Sequence, residues 1–189
     1  MTSGPEEEPR LLLLDACCLL NLFATRHIES ILRTLQKRFA IAAAVSAEAM
    51  WIYRGGDRED ALERVPVDSG PLVAAGLLEV LTLETDAENE DFVAFATVLD
   101  DGEAMTVALA VHRGGSVATD DRKARRVIVA RTPHVGLFST ADLLQMWART
   151  TGVDPTILAR ALQDVHSRAQ FLPRSQDPLR PWWDAASGG

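Results

Sequence analysis

Arg10-Leu-Leu-Leu-Leu-Asp15, running on into Ala-Cys-Cys-Leu-Leu-Asn21-Leu22, is the stretch on which the fold turns. Four apolar residues in a row suit a strand buried on both faces, as in the middle of a parallel sheet; a half-exposed strand would alternate. Residues 16–39 then carry Leu19, Leu22, Phe23, Ile28, Ile31, Leu32 and Leu35 at helical spacing, with a break predicted near Thr25 and Arg26. Residues 39–43 read as a second short apolar strand. Ser46 reads as an N-cap opening a helix through Glu48, Met50 and Trp51, which Gly55-Gly56 would end.

Further along, helices are predicted over 57–65 and 71–75, a strand over 78–83, and a helix over 86–99 whose first turn is acidic (Asp86, Glu88, Glu90, Asp91), as the helix dipole favours. Residues 102–112 form a helical pattern stopped by Gly114-Gly115. A strand over 116–119 ends in Asp120-Asp121, a helix follows through Arg126, and a strand lies near 135–138. Two helices close the pattern, one from Ser139 or Thr140 to Thr151 and one with Pro155 in its first turn. Short apolar strands alternating with helices predict an α/β fold with a mostly parallel sheet. Residues 1–9 read as a disordered arm, 10–172 as one domain, and 173–189 as a tail that is irregular or docked by Trp182 and Trp183.

The 189 residues are 47% hydrophobic and 24% charged, which excludes a disordered or low-complexity chain. No apolar stretch approaches the roughly 20 residues of a membrane span. The acidic start, MTSGPEEEPR, has neither the basic region nor the apolar core of a signal peptide, so a cytoplasmic protein with no membrane partner is expected. Cys17 and Cys18 are adjacent, which gives no disulfide framework and no structural zinc motif; both read as small core residues. The net charge of −8 argues against non-specific coating of nucleic acid, yet it suits an enzyme that gathers carboxylates at a metal site.

Ligands of open α/β sheets bind beyond the carboxyl ends of the strands. Asp15, Glu48 and Asp120-Asp121 all follow predicted strands, and Glu103 opens a helix that can reach the same edge. Such acids cannot all stay ionised together without cations, and an all-oxygen site suits Mg²⁺ or Mn²⁺. Two such ions about 4 Å apart can activate water and neutralise charge in phosphodiester hydrolysis. Arg122, Lys123, Arg125 and Arg126 directly after Asp121 are candidate guides for a polyanionic substrate. Asp100 and Asp101 read as solvated loop acids, and the four histidines as structural.

Three blocks resemble the PIN-domain family: Leu12-Leu-Leu-Asp15-Ala-Cys-Cys-Leu-Leu-Asn21-Leu, Gly102-Glu-Ala-Met-Thr-Val-Ala-Leu-Ala110 and Ala118-Thr-Asp-Asp-Arg-Lys-Ala-Arg125, with Glu48 in the gap between the first two. The resemblance implies a three-layer α/β/α fold and a Mg²⁺- or Mn²⁺-dependent endoribonuclease. Asp15, Glu48, Glu103 and one of Asp120 and Asp121 would hold the metal. It further implies kinship with VapC-type toxins, hence an antitoxin protein and a homodimer as partners. Many members carry Ser, Thr or Asn just after the first Asp, where this chain has Ala16-Cys17-Cys18; Asn21 is the candidate to compensate. The alternative reading is a catalytically silent PIN-like module that binds protein or nucleic acid.

Overall fold

A computed structural model describes residues 10–48, 50–55 and 62–188. The leucine run forms β1 (Leu11–Leu14), and all four side chains are buried. Asp15 ends the strand, and its carboxylate accepts the Ala16 backbone N–H at 2.8 Å as the N-cap of α1 (Ala16–Ala24). The predicted break is real: Arg26 takes a left-handed φ of 63° and separates α1 from α2 (Ile28–Leu35). Strand β2 (Arg38–Ala42) follows.

Beyond β2 the structure departs from the sequence reading. The chain enters a short helix, α3 (Ala43–Ala47), directly from the strand; Ser46 lies inside it rather than capping it, and Glu48 is its C-terminal cap. Residues 51–53 are not helical: β3 (Trp51–Tyr53) pairs antiparallel with β4 (Arg64–Pro66), with Ile52 buried between exposed Trp51 and half-buried Tyr53. Period-two burial of aromatic and β-branched residues outcompetes the helical reading here. Most of the helix expected over 57–65 falls outside the described residues, and its end is β4.

The rest follows the predicted order. It comprises α4 (Gly70–Ala74), β5 (Glu79–Leu81), α5 (Asp86–Ala96), α6 (Asp101–His112), β6 (Ser116–Ala118), α7 (Arg122–Arg131), β7 (Gly136–Phe138), α8 (Thr140–Thr151) and α9 (Pro155–Ala169). The five-stranded sheet has the order β5-β2-β1-β6-β7, and every neighbouring pair is parallel. β1 is thus the centre, which is why its leucines need no polar face. Helices flank the sheet in the expected three-layer α/β/α arrangement: α6 packs on β1, β2 and β6 and against α5, while α1 packs on α9 and α2 on α8. The tail is not irregular throughout: α10 (Arg180–Ser187) packs on α9 and buries Trp183, against whose ring Phe171 sits edge-on at 5.8 Å. Among the described residues no helix is long and apolar enough to cross a membrane.

Candidate metal and nucleic-acid site

The carboxyl ends of β1 and β6 meet where the Asp15 backbone N–H donates to the Ala118 carbonyl at 3.0 Å. Asp15 is buried, and its Oδ2 accepts the Thr119 hydroxyl at 2.8 Å and the Cys17 thiol at 3.3 Å. Burial pushes its carboxyl above the ordinary range, the charge of Asp100 adds to that, and the Thr119, Cys17 and Ala16 donors oppose it.

Glu48 reaches the start of α6 because that helix packs against α3. Gly102 makes this possible: a Cβ there would stand 2.7 Å from Glu48 Oε1, so the absent side chain leaves room for the Glu48 carboxylate over the first turn of α6. Asp100 caps that helix, accepting the Glu103 N–H at 2.8 Å, and Glu103 accepts the Asp100 N–H in return at 3.4 Å. Glu103 is pushed up to about 7, first by burial and then by the charges of Asp100, Asp15 and Asp121. Glu48 is raised by burial, then by Asp100 and Asp15. Asp15, Glu48, Asp100, Glu103 and Asp121 are therefore one electrostatic group.

Asp100 is the member that the sequence reading assigned to solvent. It is exposed, but it raises all three neighbours. The spacing Asp100-x-x-Glu103, a capping-box signature, was the signal that could have found it.

The adjacent acids after β6 face different surroundings. Asp121 caps α7, with Oδ1 accepting the N–H groups of Lys123 and Ala124 at 2.7 and 2.8 Å, and its charge reaches Glu103. Asp120 is instead ringed by donors: Asn21 Nδ2 (3.0 Å), the Thr140 hydroxyl (2.5 Å) and Cys18 Sγ (3.3 Å) on Oδ2, and the Thr140 N–H (3.1 Å) on Oδ1. Asn21 is buried and divides its amide between Asp120 and Thr140, so it supports Asp120 and does not replace the missing polar group beside Asp15.

An open groove of about 620 Å³ runs past Cys17, Asp120 and Asp121. Arg122 and Arg125 line it from α7, and Arg174 lines it from the segment between α9 and α10. Arg125 also has structural duties, since its Nη1 donates to the Thr119 and Phe138 carbonyls at 2.9 and 3.0 Å and ties the ends of β6 and β7 together. Lys123 and Arg126 are exposed on α7 and do not line this groove; Arg126 donates back to the Arg122 carbonyl.

The acidic group fits a hard divalent cation on two counts. Its donors are all oxygens, the set that Mg²⁺ and Mn²⁺ prefer. Second, the buried Thr106 hydroxyl, one turn after Glu103 on α6, has no hydrogen-bond partner among the described residues and lines the narrow gap it shares with Asp15, Glu103 and Thr119. An unpartnered buried oxygen beside crowded carboxylates is a polar group that folding alone leaves unexplained.

A family model described as a PIN domain matches residues 11–152, three quarters of the chain, and the chain belongs to that family. No curated protein and no solved structure gives a match. PIN domains are generally nucleases and typically bind a divalent metal, so the fold is of nuclease type.

Proposed function

We propose that this PIN domain is a metal-dependent endoribonuclease that hydrolyses RNA phosphodiester bonds, with Asp15, Glu48, Glu103 and Asp121 holding one or two Mg²⁺ or Mn²⁺ ions. The observation that carries the reading is the coupled acid group at the carboxyl edge of β1 and β6, where Asp15, Glu48 and Glu103 all stand above their ordinary pKa. A bound divalent ion there supplies Lewis-acid polarisation of the phosphate and acidifies water.

The chain's own residues prepare that site. Asp15 is aimed by Ala16, Thr119 and Cys17. Glu48 is placed over Gly102, and Glu103 releases its proton when a cation offsets the surrounding charge. Of the adjacent acids, Asp121 is the better fourth ligand, because its charge reaches Glu103 whereas Asp120 faces Asn21, Thr140 and Cys18 instead. Arg122, Arg125 and Arg174 along the groove guide the RNA backbone; Lys123 and Arg126, further out on α7, extend that basic surface. A toxin role, with an antitoxin as protein partner and a homodimer as the working form, is the extension of this reading, and cytoplasmic residence goes with it.

The test is a titration of Mg²⁺ and Mn²⁺ into the purified chain with a fluorescent single-stranded RNA, beside an Asp15→Asn variant. Asn keeps the size of Asp15 and removes its charge, so the variant folds and cleavage is abolished. Parent-level cleavage by Asp15→Asn overturns the assignment. Neither metal binding nor cleavage by the parent replaces it with a silent binding module.

A further inference from the structure

The two cysteines are adjacent in sequence and match no zinc motif, yet the fold adds a third donor to them. Cys17 Sγ, Cys18 Sγ and an Asp120 carboxylate oxygen all lie within 4.8 Å of one another. Cys18 Sγ lies 3.3 Å from Asp120 Oδ2, and Cys17 Sγ accepts the Asp120 backbone N–H at 3.3 Å. Cys18 is fully buried; Cys17 is half-buried and lines the groove, so the set is closed on the protein side and open on the other.

We infer that Cys17, Cys18 and Asp120 form a binding site for a soft divalent ion, Zn²⁺ above all, separate from the oxygen-only group that suits Mg²⁺ or Mn²⁺. Sulfur selects against the hard ions, and two cysteines that release their thiol protons to solvent on binding, with one carboxylate, would make three ligands of a tetrahedral zinc site, leaving the fourth position to water from the groove. The neighbourhood is built as such sites are. Asn21 and Thr140 orient the Asp120 carboxylate, and the Thr140 hydroxyl oxygen lies 3.4 Å from Cys18 Sγ.

The site has a consequence next door. Cys17 Sγ is 3.3 Å from Asp15 Oδ2, so a dication on the thiolates stands close to the acidic group and repels a second dication there. Zn²⁺ would thus act as an inhibitor of Mn²⁺ loading. That consequence rests on the proposed function; the binding of Zn²⁺ does not.

Cobalt reports the ligands directly, because thiolate coordination gives Co²⁺ an intense charge-transfer absorption that oxygen ligands do not. The untagged, fully reduced chain is titrated with Co²⁺ and then with Zn²⁺. One equivalent of Co²⁺ should produce the thiolate band and Zn²⁺ should remove it. Cys17→Ser, at a half-exposed position, and Cys18→Ala should each abolish the band while circular dichroism stays that of the parent. A chelator competition should show Zn²⁺ affinity lowered at least about 100-fold in each. Mn²⁺ binding, followed by electron paramagnetic resonance, should be suppressed by Zn²⁺ in the parent and not in Cys18→Ala, because the Cys18 thiol contacts Asp120 and not Asp15. A folded parent with both thiols titratable that gives no thiolate band overturns the inference, as does a band that survives both substitutions. Nuclease activity enters none of these readouts, so a chain that cuts no RNA can still pass them.

Discussion

Glu103→Gln should stabilise the metal-free protein at pH 8 and leave it unchanged at pH 4. The raised carboxyl of Glu103, about 7 against an ordinary 4.5, means that the folded chain binds this proton more tightly than the unfolded chain. Below about 4.5 both states are protonated and the residue costs nothing. Between 4.5 and 7 the folded state holds the extra proton, so stability falls as pH rises, and above 7 the full penalty of ionising a crowded carboxylate is present. The unscreened shift corresponds to about 3 kcal/mol. Glu103 is only half-buried, and solvent screening reduces this to about 1–2 kcal/mol. Gln removes the charge and keeps an oxygen to accept the Asp100 N–H, so the cap of α6 survives. The assay is urea unfolding of parent and variant across pH 4–8 with chelator present, reading the difference at each pH so that other titrating groups cancel. A gain of about 1–2 kcal/mol at pH 8, or a few degrees in Tm, is expected to fade to nothing at pH 4. With Mn²⁺ in about hundredfold excess over its Kd the order should reverse, because binding adds about 2.7 kcal/mol to the parent. A difference that is flat across pH, or absent at pH 8, refutes the coupling of Glu103 to Asp100, Asp15 and Asp121.

Gly102→Ala should separate function from stability. Its Cβ would stand 2.7 Å from Glu48 Oε1 and 3.2 Å from Cγ2 of the buried Val45, so isothermal titration should show Mn²⁺ affinity lowered about 10- to 100-fold while urea unfolding changes little, the helix-propensity gain of at most about 0.5–1 kcal/mol being offset by the tight Val45 contact. Arg113→Ala strands the buried carboxylate of Glu88, which its guanidinium contacts at 2.8 Å and holds at about 2; the loss should be about 3 kcal/mol at pH 7 and should shrink as pH falls from 4.5 toward 2, where the parent loses the pairing too. Trp183→Ala empties the contact between α10 and α9 and should cost about 3–5 kcal/mol in urea unfolding, whereas Trp182→Ala, at a half-exposed position, should cost far less.

The parallel sheet was legible because β1 and β2 are short, apolar and followed at once by helical spacing, and because a sheet centre imposes no alternation on its strands. The misplaced element is α3, and the cause is physical. Its N-cap, Ala42, offers no side-chain acceptor, so nothing in the sequence marks the start, while Ser46, about one helical turn later, carries the usual marker without using it. What holds α3 is tertiary: Val45 is fully buried, and the helix lies against α6. Glu48 thus stands on a different element from the one the sequence predicts. It reaches the site from the end of a helix, through the gap that Gly102 leaves, and not from the first turn of one.

The site's remaining details were beyond any one-dimensional pattern. Asn21 sits in α1 at a spacing that points equally toward Asp15 or away from it; only the pairing of β1 with β6, and the start of α8 beside β7, decide that its partners are Asp120 and Thr140. The same holds for the two aspartates after Thr119. Successive residues leaving a strand point to opposite sides. Capping α7 turns Asp121 toward Glu103, and that alone commits Asp120 to the other side, where Asn21, Cys18 and Thr140 receive it. A neighbouring pair of identical acids is thereby split between two chemistries, one beside oxygens and one beside sulfurs. The substitutions that follow are asymmetric for the same reason: Asp121→Asn should weaken Mn²⁺ binding with the Co²⁺–thiolate band intact, and Asp120→Asn should remove that band. If either variant produced both effects, the two acids would belong to a single site.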